Sequence, residues 1–269
     1  MIDLSGIRLK RTRAWKQLNC LNADIDTFLD SRPYRPAVKF KPQRQKLTVQ
    51  VEVHTAIDPM WSIRIGEIIH NFRSALDHIV WELAGRPSIP GTKTQFPVFH
   101  SQDGFDARGR KNFLKQVDSS AVKLIESEQP FFTRKDGTAE GADASPLWHL
   151  KELSDIDKHR TIHLTVGTLA AYSCNFPKVA KAFTLIDVEQ HPGGPVQEGT
   201  ILWSGVLHGA TEWPFEKGDI KAEFGVEVAF EDGTPAPGMW GVKGTLNQIG
   251  NRTDHILRRI AEEILHTEL

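Results

Sequence analysis

Hydrophobic and polar positions alternate along this chain with two different periods, and the change of period divides it. From about Leu4 to Leu29, Ile7, Ala14, Leu18, Leu21, Ile25, Phe28 and Leu29 recur at helical spacing amid Lys10, Arg11, Arg13 and Lys16, and Pro33 and Pro36 end the run. Val38 to Lys41 and Leu47 to His54 then alternate apolar with polar across a short turn, which predicts a β-hairpin with one buried face. After Asp58-Pro59 comes the most strongly amphipathic segment, Ile65 to Leu83, whose Ile65, Ile68, Ile69, Phe72, Ala75, Leu76, Ile79, Val80 and Leu83 form one continuous helical stripe. Gly85, Pro87 and Pro90 terminate it before a loop through Phe96 and Phe99.

Short helices are predicted over Lys111 to Lys115 and Ser119 to Ser127, followed by an exposed loop from Thr133 to Ala144. Ser145-Pro146 supplies an N-cap and first-turn proline for a helix through Leu147, Leu150, Leu153 and Ile156. From Thr161 the period turns to two, with strands near Ile162 to Val166, Phe183 to Val188, Ile201 to Gly205 and Phe224 to Phe230, punctuated by Pro192-Gly193-Gly194 and Asp232-Gly233. A last helix spans about Leu246 to Leu265. The order helix, hairpin, helices, strands, helix gives an α+β class with a helical core, a small hairpin and a C-terminal antiparallel sheet. A boundary near residue 170 would separate a mainly helical 1–170, with its hairpin at 37–54, from a β-rich 171–269; the last helix packing back onto the first two would instead join them.

The 269 residues carry 33 Lys and Arg against 34 Asp and Glu, so no global basic excess marks a nucleic-acid or membrane partner, although a local patch is compatible with that balance. Lys10, Arg11, Arg13 and Lys16 with Lys39, Lys41, Arg44 and Lys46 are the candidates for one, and a solvated charged face is the plainer reading. Cys20 and Cys174 form no metal or CxxC spacing and are expected to be buried thiols of a protein in a reducing cytoplasm. No segment approaches a membrane span or a leader's apolar stretch.

The polar side of the Ile65–Leu83 helix holds the candidate chemistry. His70, Arg73 and Asp77 line one flank of the stripe, Glu67, Asn71 and His78 the other, where an ordinary solvated face would hold Lys, Glu and Gln. Trp81 also falls on the polar side and is expected to cover a site or bury against a neighbour. Arg73 to His78, R-S-A-L-D-H, resembles the R-x4-6-H motif of the HEPN superfamily of helical bundles, many of them metal-independent ribonucleases. The resemblance implies an RNA-directed protein acting in defence or stress, with Arg73 stabilising phosphate charge, His78 transferring a proton, and a site completed by a second copy in a homodimer. The pairing of HNFRSALDH with DKHR at Asp157 to Arg160 also resembles bacterial proteins to which no activity is attached.

Asp155, Asp157, His159 and His163 form a second cluster; with His70 and Asp77 they could offer metal ligands, yet no HExxH or ExxH spacing is present, and no metal or other cofactor is expected. Asn71, Asp77, Asp157, His70 and His159 are therefore assigned supporting roles around Arg73 and His78. Two further readings stay open: a metal-dependent enzyme, and a non-catalytic interaction protein in which Arg73 and Asp77 form a helix-surface ion pair inside a structural polar network.

Overall fold

A computed structural model describes residues 2–87, 93–132, 142–175, 184–210, 212, 220–231 and 241–269, and of 142 and 168–175 the backbone alone. The Asp232-Gly233 turn, residues 133–141 of the expected loop, Pro90, Trp213, Trp240 and the Cys174 side chain lie outside the described residues. The class is α+β, with helices and two antiparallel sheets. Among the described residues no helix is long and apolar enough to cross a membrane.

The chain forms two compact units, and both are discontinuous: one comprises Met1–Ala23, Pro59–His163 and Asp232–Leu269, the other Asp24–Asp58 and Leu164–Glu231. This grouping differs from two consecutive stretches meeting near residue 170. The hairpin shares its unit with the later strands, and the last helix belongs with the helical unit.

In the helical unit, α1 (Ser5–Asp30, as far as Ala23), α2 (Met60–Leu83), α4 (Ser119–Ser127), α5 (Pro146–His159) and α6 (Val242–Glu263) bury their apolar stripes together. The α2 stripe is buried as its spacing predicts, with Ile65, Ile68, Ile69, Phe72, Ala75, Leu76, Ile79 and Val80 inaccessible and Leu83 half-buried. Phe72 meets Trp15 edge-to-face at 5.7 Å, and Gly250 of α6 is what admits both rings, since a Cβ there would fall 2.8 Å from Trp15 and 2.9 Å from Phe72. Between α2 and α4 the chain departs from the expected Lys111–Lys115 helix. Helix α3 (Gln102–Gly104) starts where Ser101 accepts from the Gly104 amide and runs on as a π-helical segment over Phe105–Phe113. Ser145 takes the N-cap position of α5 without its side chain capping, and Arg160 turns extended, so His163 drops out of the Asp155–His159 helical array.

In the other unit, β1 (Tyr34–Lys41) and β2 (Lys46–Val53) pair with Val38 opposite Val49. The remaining strands are β3 (Leu164–Asn175), β4 (Thr184–Gln190), β5 (Gly194–Val196), β6 (Ile201–His208) and β7 (Lys221–Phe230). They order as β1-β2-β6-β4 and β5-β3-β7. Opposite Val49 and Gln50, strand β6 offers Trp203 and then Ile201, leaving Leu202 as an extra residue. That bulge separates two cores: Leu47, Val49 and Trp203 lie in one, Val51, Leu202, Val166 and Val196 in the other. Cys20 on α1 is exposed, contrary to the buried thiol expected from its apolar character.

Candidate functional site

All the candidate site residues fall in the helical unit. Arg73 is mostly buried, its side chain 14% accessible, and its Nη2 donates to the Phe96 carbonyl at 2.5 Å and pairs with Asp77 at 3.2 Å. Asp77 Oδ1 in turn accepts the Phe96 amide at 2.8 Å. One turn of α2 therefore satisfies both backbone groups of a loop residue that has no secondary structure of its own. Buried Gln129, just past α4, continues the fixation: it accepts from the Phe99 amide at 3.0 Å and donates to the Pro97 carbonyl at 2.8 Å and the Ile125 carbonyl at 3.1 Å.

The fixed loop forms a wall of a cavity of about 480 Å³. Arg73 and Asp77 of α2, Arg108 of the π-helical segment, and Trp148, Lys151, Asp155 and Lys158 of α5 line it, together with Phe99 and His100 from the loop. The imidazole of His100 lies 3.5 Å from the Trp148 ring centroid and 3.3 Å from the Asp143 carboxylate, while the Lys151 ammonium sits 4.4 Å from the same indole. Arg108 stands 5.3 Å over the Phe99 ring and has no carboxylate partner among the described residues. Asp155 bonds Lys151 at 3.1 Å and Lys158 at 3.2 Å; burial alone would raise its carboxyl, and the two ammonium groups outweigh that and hold it below the usual range.

His78 faces elsewhere. Five residues along an α-helix turn through about 140°, and the exposed imidazole packs over Gly6 in a second cavity, of about 560 Å³, with Trp81, Glu82, Asp3 and Thr94. Asp77 lines both cavities, so it stands between the Arg73 and His78 sides. Trp81 is 39% exposed and lines the second cavity.

The DKHR segment packs against α2 through Asp157, whose carboxyl carbon would lie 2.6 Å from a Cβ on Gly66. Desolvation, the larger influence, raises the Asp157 carboxyl above the usual carboxylate range against the opposing influence of His70. Asn71 bonds Gln17 at 3.0 Å and the Glu67 carbonyl at 3.0 Å, on the α1 side of the helix and in neither cavity. His159 is exposed at the end of α5 and lines neither cavity. Among the described residues, no group of three or more His, Cys, Asp or Glu is arranged to hold a metal ion.

Residue spacing did not reveal His100, Arg108 or Gln129, because they come from separate elements; Trp148, Lys151, Asp155 and Lys158 share one helix, α5, but the residues they face there come from elsewhere in the chain. No family model, curated protein or solved structure matches this chain.

Proposed function

We propose that this is an RNA-directed protein whose α2–α5 cavity takes a phosphate together with an unstacked base. The observation that carries the reading is one cavity holding Arg73, Arg108, Lys151 and Lys158 beside the His100–Trp148 ring pair. Cations of this kind neutralise a polynucleotide backbone, and exposed aromatic rings stack single-stranded bases. Arg108 brings a charge no carboxylate in the described structure cancels, and Arg73, with five N–H donors, holds the loop and still lines the cavity. The cavity lies within the size range of small-ligand sites and is bordered by a wall fixed through Gln129, so its geometry is set before a ligand arrives.

The nuclease form of this reading assigns proton transfer to the exposed His78, on the far side of Asp77. The second reading, a structural network, draws on the Arg73–Asp77 grip on Phe96. Fluorescence anisotropy with short single-stranded RNA separates them. Trp148→Ala should weaken binding by about tenfold, the value of one lost base stack, and Arg108→Ala should weaken it further. Equal binding by wild type and both variants would leave the structural network in possession of the site. If the chain cleaves, His78→Ala should stop cleavage in the presence of chelator while preserving binding.

A further inference from the structure

The basic cavity and the His78–Trp81 cavity of the helical unit are neighbours. Thr94 lines the His78–Trp81 cavity and Gln95, the next residue, lines the basic one, while Asp77 borders both. A strand can therefore pass from one cavity to the other around Asp77 and the Thr94–Gln95 backbone. Resting on the RNA-directed reading above, we infer that the His78–Trp81 cavity is a second nucleotide subsite, which receives the neighbouring base of the strand whose phosphate and first base occupy the basic cavity.

The chemistry of the two cavities differs in the way this division requires. Arg108, Lys151 and Lys158 suit the first to phosphate, whereas the second presents Trp81, His78 and the carboxylates of Asp3 and Glu82. Those carboxylates disfavour a phosphate, and they accept from an exocyclic amine. Glu82 is buried and already accepts from the Asp3 amide at 3.1 Å and from Arg86 at 2.9 Å, so it has a fixed orientation; a carboxylate can accept further bonds. Trp81 supplies an exposed indole that already takes Arg86 at 5.8 Å from its centroid, and a base ring can stack on the same aromatic surface. A base carrying an amino group, adenine, cytosine or guanine, meets both features, and uracil meets only the stack.

Calorimetric titration of the full chain with AMP, ApA, UMP and UpU tests this. ApA should bind about tenfold tighter than AMP, the gain from one more stacked base, and UpU should gain less over UMP. Trp81→Ala, at an exposed position, should bring ApA to the affinity of AMP and leave AMP unchanged. ApA binding no tighter than AMP, or a gain that survives Trp81→Ala, would overturn the subsite while leaving the basic cavity's role intact. Failure of all four ligands to bind would overturn the RNA-directed reading and the subsite with it.

Discussion

Arg73 shares its work between a cavity and a loop, and that double duty sets what its removal does. Arg73→Ala deletes a charge-assisted bond to the Phe96 carbonyl and leaves Asp77 without its cation, which should cost about 2 kcal/mol of stability. Urea melts would measure it, and Arg73→Lys should recover part of the loss. The pair itself was legible in the sequence, because i, i+4 partners on a helix are local. Its target was not, since the loop around Phe96 has no period that could tie it to α2. His149 makes a second residue-scale case. Its Nε2 donates to the Asp143 carbonyl at 2.8 Å, and burial depresses the imidazole below the ordinary histidine range, the hydrogen bond opposing. With its folded value lowered, the unfolded chain binds more protons below about pH 6.5. Stability should therefore fall as pH drops through that value toward the lowered one, and His149→Gln should flatten that part of a pH–melting curve.

Apolar stripes found α1, α2, α5 and α6, because helices that bury one face must repeat every 3.6 residues. What joins the helices is less visible. Buried Asp254 of α6 accepts from Arg11 Nε at 2.7 Å and Nη2 at 2.8 Å, and from the Trp15 indole at 3.2 Å. Glu128, likewise buried, is held by Arg259 and, at 3.0 Å, by Arg252. Neither carboxylate stands out in the sequence from those on solvated faces. The π-helical segment was missed for a related reason: Gly109 lets the Phe99 and Phe105 rings approach within 3.1 Å of its Cβ direction, a tertiary demand with no local signature. Gly250→Ala tests close packing at this scale. Helix propensity would favour Ala by about 1 kcal/mol, but crowding of Trp15 and Phe72 should cost about 2 to 3 kcal/mol. The variant should melt lower than wild type; an unchanged or higher melting temperature would show that the rings have room.

At the level of the whole chain, class and most strands followed from the change of period near Thr161, while the grouping of elements did not. Hydrophobic pattern reports which face is buried, never which element covers it. Unit assignment puts α6 with helices more than 80 residues earlier, where Ile249, Ile256, Leu257 and Ile260 are fully buried. A fragment ending at residue 170 should therefore lose cooperative folding of the helical unit, which circular dichroism during thermal melting would show as a broad transition.

Salt dependence of RNA binding by the full chain tests the central claim most directly. One backbone phosphate held in the cavity should give a slope of log K against log salt of about −0.7. Arg108→Ala should flatten that slope, whereas Trp148→Ala should lower affinity and leave the slope in place. Binding that ignores salt, or a slope unaffected by Arg108→Ala, would contradict a phosphate held in the α2–α5 cavity.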